Sequence, residues 1–136
     1  MMTAEEADTF LREGRVADLA TVRPDGSPHV APVWFHYDGE VVKVFARPTA
    51  VKLRNIANDP RVSISIATPG RPYQYVIVTG TAEVSEDEDV SELVQTMARN
   101  YMGEVDGPPY AEQILSRMTP FSVITVTPSK ISGWSE

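Results

Sequence analysis

Residues 17–47, ADLATVRPDGSPHVAPVWFHYDGEVVKVFAR, read as three strands joined by two tight turns. ADLATVR reads as a strand. Pro24-Asp25-Gly26-Ser27 supplies turn chemistry, and PHVAPVWFHY follows as a second strand. Asp38-Gly39 turns the chain again into EVVKVFAR. Short connections between consecutive strands predict an antiparallel meander. Working outward, Thr3 and Glu6 form a capping box for a helix through Leu11 that Gly14 ends.

On the other side, Pro48 ends the third strand, and Thr49 is placed to cap a helix AVKLRNIAN with Val51, Leu53 and Ile56 as its apolar stripe. Asp59-Pro60 stops that helix. RVSISIAT alternates, with Val62, Ile64 and Ile66 on one face, and Pro69-Gly70 turns into YQYVIVTGTAEV, where Gly80 marks a bulge or a barrel corner. Ser85 and Glu88 read as a second capping box, opening a helix through about Met102 whose acids, Glu86 to Glu92, suit its first turns. Gly103 to Pro109 reads as a loop, PYAEQILSRM as a short helix, and FSVITVTPSKISGW as a last strand broken at Pro128. The expected architecture is mainly β: a small closed or split β-barrel of about six mostly antiparallel strands with peripheral helices, one domain over residues 1–136.

The chain is acidic, with 12 Lys+Arg against 19 Asp+Glu and a net charge of −7. Such a balance argues against a nucleic-acid partner and against adhesion to an anionic membrane. No cysteine is present, which removes disulfides, thiol nucleophiles and thiolate metal sites. No apolar run has the length of a membrane span, and MMTAEEADTF lacks an apolar signal core, so a cytoplasmic protein is expected.

Against that acidity, residues 41–78 hold Lys43, Arg47, Lys52, Arg54, Arg61 and Arg71 with Asp59 as their sole acid. The cluster falls where a strand hands over to a helix, and a helix N-terminus with hydroxyl, ammonium and guanidinium groups nearby suits an anion. A solvated face balancing the acids at 86–92 is the competing reading. The apolar strand before it tips the balance toward an anion-anchored planar group, since Pro32 lacks an N–H and leaves part of the ladder open. His29 and His36, seven apart in one expected strand, lie on opposite faces, so no metal site is expected from them. There is no G-x-S-x-G elbow, Walker loop or G-x-G-x-x-G fingerprint.

LATV, PDG-PHV, the VFAR strand, K-x-R-N before DPR, and then YVIVTGTAEV, in this order and spacing, resemble the pyridoxamine 5'-phosphate oxidase-like split β-barrels of the FMN-binding type. More narrowly the chain is similar to their flavin- and deazaflavin-dependent oxidoreductases. The resemblance implies a homodimer with two cofactor sites at the subunit interface and a small-molecule substrate. It implies a ring lying along His29, Pro32, Val33, Trp34, Phe45 and Ala46, and a phosphate held by Arg47, Thr49, Lys52, Arg54 and Asn55. Gln74 and Tyr75, beside Tyr73, contribute from the long strand, and Trp134 lies near the partner's cofactor. The chain stops at GWSE without the Arg- and His-bearing segment of true pyridoxamine phosphate oxidases, which argues against vitamin B6 oxidation. Coenzyme F420 is the expected cofactor, with Arg61 and Arg71 available to its anionic tail, and FMN is the alternative. The implied activity is hydride transfer from reduced deazaflavin to an electron-poor compound such as a quinone, an enone or a tetrapyrrole. A non-catalytic flavin or haem carrier on the same barrel is a further alternative. No protein acid or base is required, and His29, His36 and Tyr75 are the candidates for that role.

Overall fold

The computed structural model of the chain describes residues 1–86, 89–118 and 120–136, with Met118 described by its backbone. Helix α1 (Ala4–Arg12) precedes β1 (Ala17–Val22), β2 (Pro28–Val33), β3 (His36–Tyr37) and β4 (Val42–Ala46). Then come α2 (Val51–Asn58), β5 (Arg61–Ala67), β6 (Gln74–Glu86), α3 (Ser91–Met118) and β7 (Ser122–Ser135). All the pairings are antiparallel, in the order β2-β1-β5-β6-β7-β4-β3. None of the helices is long and apolar enough to cross a membrane, among the described residues.

This order dictates the shape. Strands β2 and β3 stand at opposite ends of the sheet, yet only Trp34 and Phe35 separate them in sequence. The edges of a flat seven-stranded sheet would lie roughly 29 Å apart at the usual strand spacing. From Val33 to His36 the chain reaches about 11 Å at most. The sheet must therefore curl until its ends nearly meet, which gives the split barrel that the sequence suggests. Inside lie the alternating apolar residues, among them Leu19, Val44, Ile64, Val76, Val78 and Ile124, each at most 1% exposed. Phe10 and Leu11 of α1 and Leu53 and Ile56 of α2 pack onto that core. A second cluster lies under α3, where Val94, Ala98 and Phe121 meet Trp34 and Phe45.

PHVAPVWFHY is thus two strands, not one, and the three-strand meander becomes two hairpins, β1–β2 and β3–β4. The break at Trp34–Phe35 is fixed by Tyr101, whose hydroxyl donates to the Arg15 carbonyl at 2.5 Å and accepts from the Phe35 N–H at 3.0 Å. The Tyr101 ring also stacks on Trp34, with centroids 4.7 Å apart and planes at 18°.

The capping box at Thr3 and Glu6 forms as expected, but α1 ends at Arg12 with Glu13 as its C-cap. Gly14 instead allows the backbone of Asn100 to approach: a Cβ there would lie 2.6 Å from its carbonyl oxygen. Ala50, not Thr49, is the N-cap of α2, and Val51 of the expected apolar stripe is 40% exposed. Ser85 caps no helix, because β6 continues through it to Glu86 and pairs it with Val123. Glu88 lies outside the described residues, and α3 starts at Ser91, so of the acids expected in its first turn only Glu92 is there. Residues 104–109 are helical rather than a loop; the break is confined to Gly103 (φ 90°). Gly107 then lets the two halves pack, since a Cβ there would lie 2.7 Å from the Ala98 carbonyl.

Gly80 is a bulge site, as expected: Thr79 pairs with Lys130 but Gly80 with Pro128, leaving Ser129 as the extra residue. This bulge absorbs Pro128, so β7 is continuous where a break was expected. The Ser129 hydroxyl donates to the Thr79 carbonyl at 3.1 Å.

Two measurements check this account. A Cβ at Gly80 would sit 2.2 Å from the Thr127 carbonyl oxygen, whereas one at Gly70 meets nothing within 4 Å. Gly80→Ala is expected to lose about 1–3 kcal/mol in urea unfolding, with Gly70→Ala within about 0.5 kcal/mol of wild type; equal effects would contradict the close approach. Tyr101→Phe leaves the Phe35 N–H without its side-chain acceptor and is expected to cost about 1–3 kcal/mol. Burial disfavours the phenolate and pushes Tyr101 up from 10.0 to about 12. Because the folded value is the higher one, the stabilisation is complete below pH 10.0 and is lost as pH rises through about 12. Tyr101→Phe should flatten that alkaline loss without abolishing it, since burial also raises Tyr37.

Candidate functional site

The basic window resolves into two groups. Arg61 is paired with Asp59 at 2.7 Å, and that guanidinium holds the Asp59 carboxyl down at about 2. Arg71 is paired with Glu136, whose other oxygen accepts from the Tyr73 N–H at 2.6 Å. Lys43, Arg47, Lys52 and Arg54 make no ion pair among the described residues. Three of these four surround the entry to α2.

The local chain explains that entry. After β4, the Ala50 N–H donates to the Arg47 carbonyl at 3.0 Å, and the Leu53 N–H to the Ala50 carbonyl at 3.1 Å. Ala50 has no side chain that can cap, so the opening N–H groups of α2 have no side-chain acceptor. Beside them is a cleft of about 720 Å³, bounded by Thr49, Leu53 and Arg54 on one side and Val84 and Glu86 of β6 on the other. Thr49, Arg47 and Arg54 are exposed. Lys52 is half-buried, and burial pushes its ammonium below the ordinary lysine value. Thr49, Arg54 and the uncapped N–H groups beside the cleft fit an anion such as a phosphate, whereas Arg47 and Lys52 are not among its bounding residues. Glu86, which the sequence did not mark for this site, adds a carboxylate to the same cleft.

The remaining expected residues are placed less uniformly. Asn55 is 1% exposed, and its Nδ2 donates to Thr21 Oγ1 at 3.0 Å. Its amide therefore ties α2 to β1 instead of facing the cleft. Thr21, 2% exposed, is the partner that sequence reasoning missed; its position on the inward face with Leu19 was the available signal. Val33 and Ala46 are core residues at 8% and 6% exposure. Trp34 is half-buried against Tyr101 and Tyr110, and Phe45 meets Phe121 edge-on at 5.3 Å. His29 stands opposite Thr21 with its Nδ1 buried and unpartnered, while Pro32 lies exposed on the edge strand opposite Asp18. His36 sits on β3, at the other end of the sheet order, so the two histidines do not share a strand.

Gln74, Tyr75 and Trp134 gather elsewhere. Tyr75 and Trp134 are register partners, 40% and 41% exposed, with ring centroids 6.2 Å apart. Gln74 Nε2 donates to Ser135 Oγ at 3.4 Å. Along β6, Tyr75 stands nine residues from Val84, about 30 Å at strand spacing. Arg61 and Arg71 flank opposite ends of β5, so they too lie apart.

Pyridoxamine 5'-phosphate oxidase is the family description that matches, over residues 3–135. Among solved structures, an F420 reductase is 32% identical, with 92% of this chain and 94% of that chain covered and a TM-score of 0.75. A conserved hypothetical protein from Mycobacterium tuberculosis is 24% identical over 99% and 86% of the two chains, TM-score 0.78. An FAD-binding protein from Mesorhizobium loti is 23% identical over 97% and 92%, TM-score 0.70. The last two attest the fold, and the family match spans nearly the whole chain. With a curled antiparallel sheet closed at Trp34–Phe35 and an uncapped α2 packed on β1 and β6, the chain belongs to the pyridoxamine 5'-phosphate oxidase family of split β-barrels.

Proposed function

We propose that the protein is an F420-dependent reductase that acts as a homodimer on an electron-poor small molecule such as a quinone, an enone or a tetrapyrrole. The observation that carries this reading is the start of α2, where Arg47, Lys52 and Arg54 have no ion-pair partner among the described residues and the helix has no side-chain cap. The likeness to an F420 reductase, at 32% identity over nearly all of both chains, supports the deazaflavin choice.

When bound, F420 supplies a two-electron hydride. The residues of this chain bind and orient. Arg47, Thr49, Lys52 and Arg54 hold the phosphate, with the uncapped N–H groups of α2, and the Asn55–Thr21 hydrogen bond keeps α2 in place against β1. Tyr75 and Trp134, about 30 Å from that cleft along β6, reach a cofactor only if it belongs to a second copy. The sheet face carrying them supports such a contact. Pro32, Asp18, Ser65 and Ile77 form one register row across four strands, and Val30 and Ile77 are exposed at 60% and 36%. No acid or base is assigned, since proton delivery from solvent suffices.

FMN is the second reading, favoured by one observation. Arg61 and Arg71, expected to meet the tail of F420, are engaged by Asp59 and Glu136.

Expression in a host that makes no F420 should give a colourless protein, and F420 added to it should bind, read by its fluorescence. Retention of stoichiometric FMN or haem would overturn the deazaflavin choice. Lys52→Ala with Arg54→Ala should weaken binding at least tenfold, since each charge-assisted hydrogen bond contributes about 1.5–3 kcal/mol; unchanged affinity would remove the phosphate from α2. Glu86→Gln, which takes a carboxylate from the same cleft, should tighten binding, and a weakening would contradict the placement of the anion there.

A further inference from the structure

A second cleft, between α1, β3 and α3, shares no residue with the one at α2. Its volume is about 440 Å³, within the range of roughly 300–1,000 Å³ that small-molecule sites occupy. Leu11 and Phe35, each 2% exposed, form an apolar floor. Around the rim stand Arg12, Arg99, His36 and Asn100, together with the carboxylate of Glu104.

The rim has donors to give. Arg12 uses Nε and Nη2 on Asp8, at 2.8 and 3.4 Å, which leaves Nη1. Arg99 has a loose pair, Nε to Glu104 at 3.6 Å, with the Glu104 side chain 84% exposed. Such a pair is outside hydrogen-bond range and worth little in solvent. The net charge of −7 does not forbid an anion here, because charges beyond about 8 Å are largely screened at physiological salt. Two guanidinia over an aromatic and aliphatic floor match a carboxylate on a flat apolar body. We infer that this cleft is a ligand site for a small planar carboxylate, separate from the cofactor cleft.

The site is also wired to the barrel corner. Asn100 Nδ2 donates to the Arg12 carbonyl at 3.3 Å, and the next residue, Tyr101, holds the Phe35 backbone and stacks on Trp34. A ligand in this cleft therefore sits beside the Phe35–Tyr101 hydrogen bond, and Tyr101 is the residue stacked on Trp34.

Benzoate titrated into the full chain, followed by amide NMR, tests this. The expected result is saturable shifts at Phe35, His36 and Asn100, with benzamide and inorganic phosphate both binding more weakly. Arg99→Gln should weaken benzoate about tenfold or more, the loss of one charge-assisted contact, while its spectrum elsewhere stays that of the folded protein. No saturable shift, shifts indifferent to Arg99→Gln, or phosphate binding as tightly as benzoate would each overturn the inference. Binding should persist with Lys52→Ala and Arg54→Ala, so a failed cofactor assignment leaves this result readable; its loss there would contradict the separateness of the two sites.

Discussion

A two-residue link between opposite ends of a seven-stranded sheet is the constraint from which the rest of this structure follows. With β2 and β3 joined through Trp34 and Phe35, the sheet has to curl, and a curled sheet has an inside. The alternating Val, Ile and Leu residues of β1, β5 and β6 then share a common core. The corner itself would expose the polar backbone of Phe35 next to the aromatic cluster under α3. Tyr101 resolves this by bonding both Phe35 and Arg15 with one hydroxyl while its ring covers Trp34. One side chain of α3 thus fixes the α1–β1 connection, the barrel corner and the seat of α3.

Closure also separates the two candidate surfaces. The cation-rich start of α2 lies near the Glu86 end of β6, and the Tyr75–Trp134 pair lies at the other end. Within one chain no cofactor of flavin size touches both. In the proposed homodimer, the outward face bearing the exposed Val30, Ile77, Tyr75 and Trp134 is the surface that meets the second copy.

Features set by local rules were legible in the sequence. The turns at Gly26 and Gly39, both with positive φ, the alternation of Val62, Ile64 and Ile66, the Thr3–Glu6 capping box and the Gly80 bulge all depend on near neighbours in the chain. What failed depended on distant ones. PHVAPVWFHY has the composition of one strand, and only the far hydroxyl of Tyr101 shows where it must break. Ser85 looks like a cap until Val123 is seen opposite it. The Gly- and Pro-rich run at 103–109 reads as a loop, yet only Gly103 leaves helical geometry. At the site, the charge cluster pointed to α2, but the inward turn of Asn55 toward Thr21 and the capture of Arg71 by Glu136 are tertiary facts.

Complementation between defective copies tests most directly the claim that one cofactor site is built from two chains. One variant carries Lys52→Ala and Arg54→Ala, the other Trp134→Ala with Tyr75→Ala. Each alone should bind F420 weakly. Unfolded together and refolded as a mixture, they should recover wild-type affinity at one site of every mixed dimer, because one α2 and one Tyr75–Trp134 pair remain intact across a single interface. Full affinity in the Trp134→Ala, Tyr75→Ala variant alone, or no recovery in a mixture shown to contain mixed dimers, would contradict the account.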